Sequence, residues 1–169
     1  TSIKPANGLS RPMDTIRVVW GTGRGPTEVS AYDAALAAAN VHNYNLVHVS
    51  SVIPAAATVE AVGEAPDLGP PGDRLTVVEG AATHAGPGGV AAGLGWTPGD
   101  GPGLFYEAAG PGDPETIETR IREGLEAGRD LRDWDLPETA VQTVRVRAAP
   151  GEYASATVLA VYGRGESLF

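Results

Sequence analysis

At 169 residues the chain has room for one domain with a real core, and its hydrophobic content of 42% is ordinary for a globular protein. A formal net charge of −9 sets it against nucleic acid and acidic membrane surfaces. The lack of cysteine removes disulfides, thiolate catalysis and cysteine-based metal sites.

Residues 1–14 hold two prolines, a glycine and little periodicity, and are expected as a loose arm. Residues 16–20 form a β-type run that the glycine-rich stretch 21–26 should stop. Thr27 offers an N-cap and Glu28 a first-turn acid for an alanine-rich helix, with Val29, Tyr32, Leu36 and Ala39 on one face. Residues 45–53 read as one strand ended by Pro54. A polar Pro/Gly loop fills 63–74, and Leu75 to Ala82 reads as a strand. The glycine-rich region 83–103 allows one weak strand, and 103–109 a further short one.

The clearest element is a helix over about 114–132. Asp113 caps it, and Pro114 suits the first turn, where its missing N–H costs nothing. Ile117, Ile121, Leu125 and Leu131 fall near one face, Glu118 and Arg122 make an i,i+4 pair, and Trp134 closes the segment. Strands near 139–148 and 153–162, split by Pro150 and Gly151, alternate well and should form a hairpin. Six or seven strands with two helices define an α+β domain. A layered α-β-β-α sandwich would bury all these faces. No repeat or second domain is visible, so 1–169 is expected as one domain.

The run Gly21–Gly25 ahead of a helix lacks the G-K-[ST] of a phosphate loop, and Pro26 breaks the G-x-G-x-x-G spacing, so a tight turn aiming the helix is the better explanation. His42, His48 and His84 show no metal-ligand spacing, and no metal is expected. No charged n-region with an apolar run and no apolar stretch of about 18 residues is visible, so a soluble cytoplasmic protein is expected. Lys4 is the only lysine; many acids with almost no lysine fit work in high salt, although a GC-rich coding bias has the same effect. Glu107 lies in the otherwise apolar run 104–109, where partial desolvation would raise its pKa and fit it for proton transfer; it could equally face outward from a half-buried strand. Asp33 alone reads as a surface residue, and Ser50-Ser51 alone carries no meaning. His48 shares a face with Ser50 and reads as structural.

In sum, Ala31-Tyr32-Asp33-Ala34-Ala35-Leu36, then Asn45-Leu46 with Ser50-Ser51 and Pro54, then Gly103 to Glu107, then Leu131 to Trp134, form an order and spacing that resembles the pyruvoyl-dependent arginine decarboxylases. The resemblance covers roughly 16–162. The N-L-x-x-x-S-S-x-x-P block is its most specific part, and the region 83–103 matches poorly. It implies the α-β-β-α sandwich and a precursor that cuts itself between Ser50 and Ser51. The products would be a β chain, 1–50, and an α chain, 51–169, that begins with a covalent pyruvoyl group derived from Ser51. It implies Schiff-base decarboxylation of L-arginine to agmatine and carbon dioxide, serving polyamine or tRNA-modifying pathways. Asn45 would bond the oxyanion during cleavage, Glu107 would be the general acid, and Asp33 would grip the guanidinium. Trimers, some paired into hexamers, with active sites at subunit boundaries, are the implied assembly. Three competing readings stay open: the same chemistry on another amino acid such as histidine, a non-processing relative that only binds or assembles, and a generic acidic binding domain.

Overall fold

The computed structural model describes residues 15–169, so the expected arm over 1–14 lies outside the described residues. The glycine stretch expected as a turn is instead the second half of β1 (Thr15–Gly25). A Cβ on Gly21 would collide with the Ala35 carbonyl, and one on Gly23 would lie 2.6 Å from the Ala34 side chain. These glycines let α1 (Glu28–Ala38) lie directly on the strand. Such close approach selects alanine for the contact: Ala31 and Ala35 are buried with Leu36, whereas Val29, expected inside, is 77% exposed. Thr27 caps the helix as expected. Its Oγ1 accepts from the Ser30 N–H at 3.0 Å, and its own N–H donates to the Ser30 hydroxyl at 3.0 Å.

The expected single strand at 45–53 is two strands, β2 (Asn45–His48) and β3 (Val52–Ile53), and they belong to different sheets. β4 (Thr58–Gly63), a mostly exposed edge strand, went unread in the sequence because it shows no apolar alternation. β5 (Arg74–Ala85), β6 (Gly88–Thr97) and β7 (Gly103–Pro111) follow. β6 is no weak strand: Val90 to Thr97 are buried throughout, and its glycines make room for α2.

α2 (Pro114–Asp130) buries Ile117, Ile121 and Leu125, each worth about 1.5–3 kcal/mol by area removed from water. It stops one residue short of Leu131, which was expected on the buried face but is 82% exposed. Asp113 caps it, accepting from the Thr116 N–H at 2.9 Å; that bond, then the Thr116 hydroxyl, holds the Asp113 carboxyl below its ordinary range. The Glu118–Arg122 pair forms at 3.5 Å.

β8 (Ala140–Ala148) and β9 (Tyr153–Glu166) do not pair as a hairpin. β8 pairs antiparallel with β6, and β9 with β1 and β5. The reason is burial: β9 is covered on both faces and must sit centrally, while β8 is an edge. Among the described residues, nine strands thus form a five-stranded sheet, β2-β5-β9-β1-β4, and a four-stranded sheet, β3-β7-β6-β8. The sheets stack on each other, with α1 on the outer face of the first and α2 on that of the second, giving the α-β-β-α layering. The inter-sheet core holds Ile16, Val18, Leu94, Phe105 and Val158. No helix among the described residues is long and apolar enough to cross a membrane.

Candidate active site

The crossing between the sheets is where the serine pair lies. β2 runs parallel to β5, with His48 opposite Val77, and the Val49 N–H donates to the Val77 carbonyl at 2.9 Å. Two residues later the Ser51 carbonyl accepts from the Phe105 N–H at 2.7 Å, and Val52 pairs with Leu104 in the second sheet. The Tyr162 hydroxyl, pushed up to about 12 by burial and so a standing donor, gives its proton to the Val52 carbonyl at 2.9 Å. Residues on both sides of the Ser50–Ser51 peptide are therefore pinned to different sheets.

The Ser51 hydroxyl points at Glu107 Oε2 across 3.5 Å, the long end of a hydrogen bond. Glu107 comes from β7, opposite Leu94 of β6. Its Cβ rests against β5 at Gly80, where an added Cβ would stand 3.1 Å away. Of the two readings left open for Glu107, the outward-facing one holds in the protomer: the residue is exposed, although Phe105 on the same face of β7 is buried. Beside Ser51 a cavity of about 290 Å³ opens between β7 and α2. Tyr106, Gly124, Gly128, Leu131 and Arg132 line it, and any side chain on Gly124 would meet the Tyr106 ring. Arg132 is held by donating to the Gly128 carbonyl at 2.9 Å and by lying over the Trp134 ring at 5.2 Å.

Asn45 and Asp33 are not brought to this point. Asn45 opens β2, about 16 Å of extended chain before Ser50, and its amide donates to the Gly72 carbonyl at 2.8 Å. Within one protomer Asn45 therefore does not stand beside the Ser50 carbonyl. Asp33 is exposed on α1, and no hydrogen bond joins it to Ser51 or Glu107 among the described residues.

The family model described as pyruvoyl-dependent arginine decarboxylase matches residues 15–167. A protein of that name from Halobacterium salinarum is 57% identical over 158 residues, covering 93% of this chain and 99% of the relative. Proteins of the same name from Thermococcus sibiricus and Pyrococcus horikoshii are each 34% identical, over 146 and 143 residues, covering 83% and 82% of this chain and 91% and 89% of theirs. The chain belongs to the pyruvoyl-dependent arginine decarboxylase family. The family's covalent cofactor fits what is here: a serine in a connection pinned at both ends, its hydroxyl facing a carboxylate and an apolar cavity beside it.

One cluster of this decarboxylase-family chain escaped the sequence analysis. Glu79, on β5, has a side chain only 4% exposed. The Tyr32 hydroxyl donates to its two oxygens at 2.8 and 2.6 Å, Thr157 Oγ1 donates at 2.6 Å, and His48 Nε2 lies at 2.8 Å. Burial, then the bond to Glu79 and its charge, hold the Tyr32 phenol far above its ordinary range. The signal was available: Glu79 interrupts the apolar run 75–82 just as Glu107 interrupts 104–109. His48, expected as structural, is a partner in this cluster.

Proposed function

We infer that the chain decarboxylates L-arginine to agmatine and carbon dioxide, using a pyruvoyl group made from its own Ser51. Family membership and the alignment of the Ser51 hydroxyl with Glu107 support this reading, and the second of these carries it. Every curated relative named above bears the arginine decarboxylase name, which leaves histidine chemistry unsupported.

In the cleavage step the Ser51 Oγ adds to the Ser50 carbonyl carbon, and the C–N bond between the two residues breaks as the amide becomes an ester. Loss of the Ser50 carboxylate by elimination then leaves a dehydroalanine at 51. Addition of water to its imine form expels ammonia and leaves the ketone. The pinned connection holds the hydroxyl and carbonyl for that attack. The chain so divides into 1–50 and 51–169.

The pyruvoyl ketone supplies an electrophile for the substrate α-amine and a sink for the electron pair left by carbon dioxide. Glu107 returns a proton to the carbon that carbon dioxide leaves, from the oxygen that faces Ser51. Asp33 takes the guanidinium in a planar two-point pair.

Val49, Val52, Tyr106 and Leu131 are exposed apolar residues around Ser51, which supports a second copy covering the site. Assembly is as trimers, some paired into hexamers, and Asp33 and Asn45 act across the subunit boundary. The formal net charge of −9 and the Halobacterium relative support work in the cytoplasm of a high-salt cell.

The test is the intact mass of the purified protein under denaturing conditions, followed by product analysis with arginine. Two chains meeting at Ser50 and Ser51, and agmatine released, are expected. One uncut chain after long incubation in high salt would refute the reading.

A further inference from the structure

The three donors to Glu79 come from three elements besides its own strand. Tyr32 belongs to α1, His48 to β2 and Thr157 to β9. A carboxylate only accepts, so the hydroxyls and the His48 Nε2–H all give their protons to it. Such a buried group is costly unless fully bonded. The cluster is fully bonded and lies outside the cavity next to Ser51, so its value lies in what it ties together. Tyr32 immediately precedes Asp33. His48 is the last residue of β2, two before Ser50, where the chain departs for the second sheet, and its side chain is 58% exposed. The next residue of β5, Gly80, backs onto Glu107 from the opposite face.

We propose that Glu79 is a positioning residue, whose carboxylate fixes the Asp33 turn of α1 and the end of β2 against β5. It thereby sets where the guanidinium-gripping carboxylate and the scissile peptide stand. The proposal rests on the roles given above to Ser51 and Asp33, and it deepens them. The two arms are separable. The His48 arm governs cleavage, because a small displacement of a reacting group lowers its rate steeply. The Tyr32 arm governs arginine binding, whichever copy's Ser51 that Asp33 serves. Glu79→Gln turns an NH₂ toward the cluster, so at least one donor must turn round or lose its bond.

The experiment follows cleavage of freshly made full-length chain by intact mass. It also measures kcat and KM for arginine on processed protein, with thermal unfolding alongside. A hydrogen bond to a charged group weighs about tenfold to a hundredfold in an equilibrium, which sets the scale. His48→Leu slows cleavage about tenfold and leaves KM alone. His48→Gln, which keeps an N–H donor, returns cleavage to within about threefold of wild type. Tyr32→Phe raises KM about tenfold without slowing cleavage, and Glu79→Gln does both. Val161→Ala, which removes both γ-methyls in the same core layer, lowers the melting temperature and does neither. Should Glu79→Gln fail to fold, the His48 and Tyr32 variants decide the matter by their split. Wild-type cleavage and KM in Glu79→Gln, or both losses reproduced by Val161→Ala, would overturn the proposal alone. A wild-type chain that never cleaves would overturn the reading of Ser51 and this proposal with it.

Discussion

Replacing Gly80 by alanine tests whether the close stacking of the sheets holds Glu107 in place. The added Cβ would lie 2.8 Å from the Gly93 carbonyl oxygen, 3.1 Å from the Glu107 Cβ and 3.2 Å from the Ala108 carbonyl. Carbon atoms rest at about 3.5–4.0 Å, so β7 must move away from β5 by several tenths of an ångström. Two of the three neighbours are backbone, which no rotamer change relieves. Overpacking of this kind costs about 1–3 kcal/mol, and a midpoint of about 2 kcal/mol lowers the melting temperature by roughly 4–8 °C at this chain length. The displaced group is the Glu107 carboxylate, already at the long end of its bond to Ser51. Turnover should fall about tenfold, on the scale of a rate lost when a catalytic group moves by a fraction of an ångström. The KM for arginine should stay, because Asp33 lies in another layer. Melting followed by circular dichroism and steady-state agmatine production measure both effects. Wild-type stability together with wild-type turnover in Gly80→Ala would refute the claim that β5 braces Glu107.

Four other outcomes follow from the same geometry. Ser51→Ala should abolish cleavage and decarboxylation while the melting temperature stays near that of the wild-type precursor; activity in that variant would end the pyruvoyl mechanism. Glu107→Gln should process but turn over slowly, which single-turnover kinetics on cleaved protein would show. Tyr162→Phe removes the bond to the Val52 carbonyl, worth about 0.5–1.5 kcal/mol, and keeps the edge contact with Phe105; cleavage should slow several-fold in time-course mass spectra. Asp113 has a depressed folded-state pKa, so its stabilising effect is complete above the ordinary aspartate value of about 4 and fades as pH falls through the folded value. Denaturant melts of wild type and Asp113→Ala should therefore differ at pH 7, and the difference should shrink progressively as the pH is taken below about 4.

Much of the fold was legible because local chemistry and periodicity agreed. At α2 a cap at Asp113, a proline at the first turn and the Ile117–Ile121–Leu125 spacing all name the same element. At α1 the cap was right and the buried face was wrong, since the glycines of β1 choose which side of the helix approaches. Period-two alternation in β8 and β9 reported which faces are buried and said nothing about partners, so adjacent strands were paired that belong to different sheets. Two acids broke apolar strands. Glu107 was singled out and faces Ser51; Glu79 gave the same signal, went unread, and proved the more buried of the two.

The misread strand at 45–53 carries the most information about function. Its composition suits one continuous strand, and a continuous strand would have its backbone groups paired in one ladder. The fold instead leaves the sheet at Val49 and enters the other at Val52, with Ser50 and Ser51 between the two ladders. A peptide inside a ladder has its carbonyl and N–H committed and its neighbours aligned with the strand, a poor geometry for attack by the next residue's hydroxyl. A peptide in a free loop has no fixed geometry at all. A short crossing anchored by Val77 on one side and Phe105 on the other avoids both, and it turns the Ser51 hydroxyl out toward Glu107. The local sequence preference for a strand is thus overridden at the one place where the proposed chemistry needs a bond held between two rigid sheets and belonging to neither.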